Sequence, residues 1–578
     1  MESKPFQTIN ELFLQAMEDH QKPDAFLTKT KGQYRGVPSR DVLVKVAALA
    51  QAFQEMGVGP GDRVALLSEN RLEWALTDYA ILGLGGVSVP LYSTLLEGDV
   101  GFILRDSGSK GIVVSTRDQL KKVLAVRASA PDLKFVVAMD SESGEFPDVH
   151  CWEELAMRES ASGTNPVKSL EQQSLRTKAS DIATIVYTSG TTGVFKGVVL
   201  THANIASNIQ ACDLLFDFHP GDISMAFLPL AHIFERMIDF YYMAQGVSIA
   251  YAESIDTLPQ NLREVRPSLM AVVPRLVEKI REKVLEEVRH MPPSKQRLFG
   301  WALRTGSEWF PYSLTGRSAP VGLAVKRALA DKIVYSKIRS QMGGRLRLLI
   351  SGAAPLSRDL AEFFFSIGIP IYEGYGLTET SPVIAVNHPG AVKLGTVGQV
   401  IPGVEVRMGE ETVDAEGHSG REILVRGPNV TPGYYHQDDR NGEAFVDGWF
   451  HTGDLGVMDE RGYVKITGRL KDVIVRDGVE ICPVDVEEVI YMLPAVSEVQ
   501  VFGFPQPVKG QEVAAWVKLR PGARLTTEAL AEHVAKHVAA ENCPRYYKFV
   551  DAFPMTGSGK IQKYKLADLA QKEYLGIG

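Results

Sequence analysis

The sequence predicts an α/β protein: a large N-terminal domain of doubly wound sheets with a small β subdomain, then a smaller, mobile α+β C-terminal domain. Three observations carry this. Between Val64 and Val114 short apolar runs alternate with segments of helical spacing, the pattern of a largely parallel sheet covered on both faces. From Gly395 to Tyr435 helical spacing gives way to β-prone runs and Gly/Pro turns, which points to a small β subdomain. Beyond Gly468 the pattern becomes α+β. At 578 residues the chain exceeds the size at which one core keeps growing. The expected division is residues 1–468 for the first domain, with a basic insert at 281–345, a hinge at 469–472, and a second domain at 473–578.

In order, Thr8 can cap a helix reaching His20, and Ser39 precedes apolar residues at helical spacing, Val42, Leu43, Val46, Leu49, Ala50 and Phe53. Val64 to Leu67, Val87 to Pro90 and Gly111 to Val114 read as strands, with helices over Asn70 to Leu82 and Glu97 to Asp106 between them. Residues 141 to 180 are polar and irregular, which suggests a surface excursion. The α/β alternation resumes with a helix over Asn204 to Phe216 and strands at Ser224 to Leu228, Val247 to Ala250 and Leu269 to Val273. Later come strands at Leu346 to Ile350 and Ile369 to Gly374, with a helix over Ser357 to Ile367. The last domain reads as helix (Val484 to Met492), strands (Val499 to Phe504, Val513 to Leu519) and helix (Thr526 to Ala540).

Residues 281–345 hold thirteen Lys/Arg against five Asp/Glu, in a protein whose net charge is -8. Phe299, Trp301, Trp309, Phe310 and Tyr312 are interleaved with those cations. Two readings stay open: contact with an anionic lipid surface, or a solvated helical excursion with its own small core. The overall negative charge argues against general nucleic-acid binding. Cys151, Cys212, Cys482 and Cys543 show neither metal-ligand nor disulfide-framework spacing. No signal peptide or membrane span is read from Met1 to Asn10 or from the longest apolar run, which Asp78 and several glycines break.

Chemistry concentrates in Tyr187-Thr188-Ser189-Gly190-Thr191-Thr192-Gly193-Val194-Phe195-Lys196-Gly197. Glycines allow close backbone approach, hydroxyls donate and Lys196 supplies a cation, a set suited to polyphosphate. A Walker A loop would open directly into a helix after Lys-[Ser/Thr]; Lys196 is followed instead by Gly197 and β-prone sequence. This stretch resembles the phosphate loop of the AMP-forming adenylating enzymes. Further blocks follow in that family's order: Ser351-Gly352-Ala353-Ala354-Pro355, Tyr372-Glu373-Gly374-Tyr375-Gly376-Leu377-Thr378-Glu379-Thr380, Thr452-Gly453-Asp454, Gly468-Arg469-Leu470-Lys471-Asp472 and Thr556-Gly557-Ser558-Gly559-Lys560.

The resemblance implies residue roles. Thr188, Ser189, Gly190, Thr191, Thr192 and Lys196 would cradle the phosphates of ATP, and Gly352 and Ala353 would wall the adenine on which Tyr375 stacks. Thr380 would lie near the α-phosphate. Thr188 and Glu379 would hold Mg²⁺, an ion suited to oxygen ligands and water. Asp454 would accept the ribose hydroxyls and Arg469 would contact ribose or phosphate, with Lys471 at the hinge. Lys560 would act in adenylation, and Gly478 would leave room for the pantetheine arm of CoA. His232 and Phe234 would border the acyl-carboxylate pocket, with Val273-Pro274-Arg275 as a second wall; Val277 stands where one relative carries a tryptophan gate.

The insert resembles that of long-chain fatty acyl-CoA synthetases. The expected activity is therefore activation of a long-chain fatty acid with ATP to acyl-AMP and pyrophosphate, then acyl transfer to CoA. A fatty acyl-AMP ligase that loads an acyl carrier protein, and a catalytically silent adenylate-binding membrane scaffold, are the competing readings. The expected location is cytoplasmic, with peripheral contact at the inner face of a membrane through the insert. The sequence leaves the oligomeric state open.

Overall fold

The computed structural model describes all residues except 1–4, 141–145, 147, 159–164, 190–194, 316, 414–418, 477–478, 507–509, 521, 556–560 and 577–578. Contacts divide the chain into two compact units: residues 1–404 with 427–441, and residues 405–426 with 442–578. The β-rich stretch at 405–426 thus groups by contacts with the C-terminal part. Among the described residues no helix is long and apolar enough to cross a membrane, and all four cysteines are free thiols.

The larger unit is built on two sheets. In one, Phe26–Thr30, Ser248–Tyr251, Ile223–Ala226, Leu269–Val272, Leu348–Ser351 and Ile371–Gly376 lie side by side in parallel. Antiparallel strands finish both edges, Gln33–Val37 on one and Val383–Val386 with Gln399–Val400 on the other. In the other sheet, Ile182–Ser189, Val87–Leu91, Arg63–Leu67, Gly111–Val114, Phe135–Ala138 and Val149–Cys151 run parallel. These strands are buried on both faces, so they are apolar runs rather than alternating ones: Val64 to Leu67 and Ile112 to Val114 are all fully buried.

The first helix, Ile9–Asp19, starts as its sequence suggests. The Thr8 hydroxyl accepts from the Glu11 N–H, and the Glu11 carboxylate accepts from the Thr8 N–H, a reciprocal cap. Ser39, by contrast, is the first residue inside the helix Ser39–Glu55, and Pro38 takes the cap position. Its hydroxyl is committed elsewhere, donating to the His20 carbonyl and accepting from the Lys22 N–H.

Two further expectations change. Residues 141–180 are not simply a surface excursion: Val149–Cys151 adds a strand, Trp152–Ala156 and Pro166–Ser174 are helices, and Trp152, Leu155 and Leu170 are buried. Their few apolar side chains are enough to dock short elements that a polar average conceals. Nor do the strands of 395–435 form one subdomain. Gln399–Val400 and Gly433–Tyr434 extend the two sheets of the larger unit, whereas Glu405–Val413 and Ser419–Arg426 pair with each other and with Trp449–Met458 in the smaller unit. Short β runs carry no signal of which sheet they join.

The insert is helical: Pro274–Arg289, Pro293–Thr315, Val321–Ala330, a π-turn at Asp331–Tyr335, and Ser336–Gln341. Phe299 and Phe310 are buried, and Phe310 meets Phe365 edge-on at 5.4 Å. These two aromatics belong to a small core.

In the smaller unit, strands Val496–Gln506 and Gly510–Leu519 carry two cores, one on each face. Val499 and Val501 point to one with Ile490 and Leu530, while Phe502 and Phe504 point to the other with Trp516 and Leu566. That is the period-two alternation of a sheet covered on both sides.

The best-satisfied charges in the larger unit are also its most buried. Arg236, from the helix Ile233–Ala244, makes a bidentate pair with Asp78, from Leu72–Gly83, at 2.8 and 2.7 Å, both residues being 1% exposed. Its remaining terminal nitrogen donates to the Thr184 hydroxyl at 2.8 Å, which donates to the Ser88 carbonyl at 2.7 Å. Stranding one buried charge costs about 3–5 kcal/mol, whereas replacing both by apolar groups is often neutral. Asp78→Ala should therefore lower the calorimetric unfolding transition of the larger unit, and Asp78→Leu with Arg236→Met should recover most of the loss.

Candidate functional site

The polyphosphate-type loop is the turn of an antiparallel hairpin. Ile182–Ser189 pairs with Phe195–Thr201, setting Thr188 directly opposite Lys196 and Tyr187 opposite Gly197. Lys196 thus leads into a strand, unlike the lysine of a Walker A loop, which opens a helix. Gly190, Thr191 and Thr192, between the strands, lie outside the described residues, as does the side chain of Ser189. The Tyr187 hydroxyl donates to Asp106 at 2.6 Å, which anchors one strand of the hairpin.

Lys196 and Glu379 are brought together by a residue the sequence reading did not single out. The Lys196 ammonium lies 4.8 Å from the centre of the Tyr434 ring, within cation–π range, and the Tyr434 hydroxyl donates to Glu379 Oε1 at 3.0 Å. Burial, followed by the Glu379 charge, raises the Tyr434 pKa, so the phenol stays a donor. Tyr434 sits on a segment sewn to both sides of the site. The Thr431 N–H donates to the Glu379 carbonyl and the Tyr435 N–H to the Gly197 carbonyl, each at 2.8 Å. The Asn204 amide donates to the carbonyls of Pro428 and Val430 at 2.7 and 2.9 Å, and the Asn429 amide to the Thr380 carbonyl at 2.8 Å.

Glu379 lies on the short turn Thr378–Thr380 at the end of Ile371–Gly376. That turn is tight enough to exclude any side chain at Gly376, where a Cβ would come 1.8 Å from the Pro382 carbonyl oxygen. Thr380 is fully buried, and its hydroxyl donates to the carbonyls of Leu377 and Pro382 while accepting from the Leu377 N–H. Its side chain thus braces the turn. The donors expected for Mg²⁺ are the Glu379 carboxylate, held by the Tyr434 phenol, and the Thr188 hydroxyl on the adjoining hairpin. That set fits an ion which takes one or two carboxylates and fills its shell with phosphate and water.

The turn after Leu348–Ser351 has two features of a built surface. A Cβ on Gly352 would sit 3.1 Å from the Phe234 ring, so the ring packs against bare backbone. Ala353 adopts φ +68, a left-handed conformation costly for a residue with a Cβ and held only where surroundings enforce it. One enforcing contact comes from Glu373, whose Oε1 accepts from the Leu356 N–H at 2.9 Å. Burial pushes the Glu373 carboxyl up to about 7, with the Leu356 N–H opposing the shift. Glu373 also escaped the sequence reading, although a lone carboxylate in an otherwise apolar strand is a usable signal. Tyr375 is half-buried on the same strand, opposite Ala385.

His232 caps the helix Ile233–Ala244: its Nδ1 accepts from the Phe234 N–H at 3.1 Å. The helix thereby presents Phe234 to Gly352. Val277 is fully buried.

In the smaller unit, Asp454 and Arg469 face each other across paired strands and form an ion pair at 2.9 Å; Asp454 is buried and Arg469 exposed. A short turn, Leu470–Asp472, follows Arg469. Asp472 lies 3.9 Å from the Lys563 ammonium, which also approaches Glu487 at 3.4 Å. Gly478, Lys560 and the side chain of Lys471 lie outside the described residues.

A family model described as "AMP-binding enzyme" matches residues 16–435, and one described as "AMP-binding enzyme C-terminal domain" matches 485–560. The chain belongs to the AMP-binding enzyme family and is an AMP-forming acid–thiol ligase. It is 33% identical over 486 residues to a long-chain-fatty-acid–CoA ligase of Mycobacterium bovis, covering 83% of this chain and 77% of that protein. It is 31% identical over 510 residues to the peroxisomal long chain acyl-CoA synthetase 7 of Arabidopsis thaliana, covering 86% and 71%. Among solved structures, ATP-bound MatB from Rhodopseudomonas palustris superposes with TM-score 0.73 at 24% identity, covering 98% of this chain and 100% of that one. A Mycobacterium tuberculosis fatty acyl CoA synthetase does so with TM-score 0.63 at 22% identity, covering 97% and 98%. These structures share the fold.

Two predictions follow from the geometry. Tyr434→Phe keeps the ring beside Lys196 but removes the bond to Glu379; one hydrogen bond to a charged group supports a roughly tenfold fall in kcat/KM for MgATP, read by pyrophosphate exchange over a magnesium titration, with unchanged thermal stability. Glu373 holds its proton in the folded protein to about pH 7 but loses it near pH 4.5 when unfolded. Its contribution to stability is therefore fully present at acid pH and is lost as pH rises through about 7, on the order of 3 kcal/mol. Glu373→Gln keeps the acceptor without the proton, so melting curves of variant and parent should diverge in the variant's favour as pH rises from 5 to 8.

Proposed function

We propose that this protein is a long-chain fatty acyl-CoA synthetase, joining a fatty acid to AMP with release of pyrophosphate and then transferring the acyl group to the CoA thiol, with release of AMP. The observation that supports this most directly is the Lys196, Tyr434 and Glu379 arrangement beside the hairpin turn, in a chain whose curated relatives are named long-chain-fatty-acid ligases of CoA.

A carboxylate attacks phosphorus only when phosphate charge is countered and the two are held in line. Lys196 and the Ser189 to Thr192 backbone are proposed to hold the phosphates, Tyr375 and the Gly352–Ala353 turn the adenine, and Thr380 the turn near the α-phosphate. Bound through Glu379 and Thr188, Mg²⁺ would neutralise the departing pyrophosphate. His232 and Phe234 are proposed to border the fatty carboxylate, Asp454 to accept the ribose hydroxyls, and Arg469 to contact ribose or phosphate. Lys560 is proposed for adenylation and Gly478 for passage of the pantetheine arm, in a domain 473–578 that turns about 469–472. The basic insert is proposed to meet a membrane, with the protein otherwise cytoplasmic.

Burial of a methylene is worth about 0.8 kcal/mol, so acids differing by two carbons differ by only ~1.6 kcal/mol. Broad acceptance among long chains is the expected outcome of a fatty acid panel read by AMP release. Lys560→Ala should abolish acyl-AMP formation while leaving CoA transfer from supplied acyl-AMP largely intact. Equal loss of both half-reactions, or a thiol preference for carrier protein over CoA, would contradict the proposal.

A further inference from the structure

We propose that the outer face of the helix Val321–Ala330 is the part of the insert that seats on an anionic lipid bilayer. This deepens the proposed membrane contact, and it rests on the long-chain reading in one respect: such substrates partition into bilayers.

The expectation of lipid contact joined the insert's cations with its aromatics, but the structure separates the two. Phe299 and Phe310 are buried, and Trp301, Trp309 and Tyr312 are half-buried. The outward apolar surface comes instead from the next helix. Val321 is 80%, Val325 64% and Leu329 49% exposed. At spacings of four residues they form one stripe. A Cβ built on Gly322 meets nothing within 4 Å, so the face is open. Several other exposed large apolar side chains, such as Leu96, Leu175, Leu214 and Ile255, lie far apart in the chain.

Charge selects the occupant. From Arg317 through Arg358 the chain holds nine Lys/Arg and one acid, Asp331. Asp331, its side chain 41% exposed, is neutralised by Arg339, which binds it bidentately at 2.6 and 3.0 Å and also donates to the Ile367 carbonyl. Arg327 turns in, over the Tyr335 ring at 4.3 Å. Arg317, Lys326, Lys332 and Lys337 remain outside, all exposed, and no carboxylate pairs with them among the described residues. An exposed aliphatic stripe with unpaired cations beside it, three of them lysines, fits a helix lying in the plane of a bilayer. The valines and leucine would enter the headgroup boundary, while long lysine stems keep their ammonium groups at the phosphates. A second copy of the chain offers the opposite match, since two such faces would set like charges together.

The test is co-sedimentation of the full chain with vesicles of phosphatidylcholine alone or mixed with phosphatidylglycerol, at low and high salt. Wild type should bind the mixed vesicles at least about tenfold better than the neutral ones, and lose that advantage at high salt. Val325→Asp with Leu329→Asp should weaken binding to mixed vesicles at least about tenfold; Lys326→Glu with Lys332→Glu should do the same and flatten the salt dependence. These side chains are exposed, and AMP release with water-soluble octanoate should stay at the wild-type level. Variants that sediment like wild type would overturn the proposal, as would a wild type that ignores anionic vesicles. A drop in mass by light scattering in Val325→Asp would assign the stripe to contact between copies and overturn it too. Absence of AMP release with every acid, alongside intact vesicle binding, would sink the synthetase reading while leaving the lipid face standing.

Discussion

The larger unit depends on one buried ion pair. Arg236 comes from a helix that connects two strands of one sheet, and Asp78 from a helix that connects two strands of the other. Where they meet, the Thr184 hydroxyl, on the first strand of the hairpin, accepts from the last guanidinium nitrogen. Trp74 and Phe240 lie near the guanidinium at 5.7 and 5.5 Å. In such surroundings neither charge can be left alone, so the pair tolerates little displacement. It therefore fixes two elements in register: the hairpin strand that carries Thr188, and the helix that His232 caps and whose first turn carries Phe234.

Around that fixed point the site is made mostly of main chain. Asn204, Asn208 and Asn429 spend their amides on carbonyls of the loops that carry Glu379 and Tyr434. Side-chain amides suit this work because each can donate twice in a plane. Loops fixed in this way hold their polar groups without reorganisation when charge moves nearby, which is the basis of electrostatic stabilisation in enzyme sites. The left-handed Ala353 and its Glu373 brace belong to the same design.

Much of this was legible in the sequence. Strands such as Gly111–Val114 are continuous apolar runs of β-branched residues, so their class and place in the alternation could be read directly. That Lys196 leads into a strand and not a helix was readable from Gly197 and the β-prone residues that follow it. What escaped depends on distant partners. Tyr434 is an ordinary aromatic until the fold sets it between Lys196 and Glu379, more than fifty residues away in the nearer case. Asp78 looked like an interruption of an apolar run, and only its arginine, 158 residues on, explains it. The strands from 395 to 435 looked like one subdomain because local sequence records strand propensity but not the sheet that accepts each strand.

The order of the chain through the two compact units has a practical corollary. It leaves the larger unit after Val404, returns for residues 427–441, and leaves again. The returning piece carries Tyr434, Thr431 and Asn429, the groups that grip Glu379 and the loop beside it. An expression fragment that stops at the first exit would keep the parallel strands of both sheets yet lose Gly433–Tyr434 and the strap that joins Glu379 to the Gly197 strand. A shortened version that keeps this strap has to reach Asn441 or be given the strap in trans.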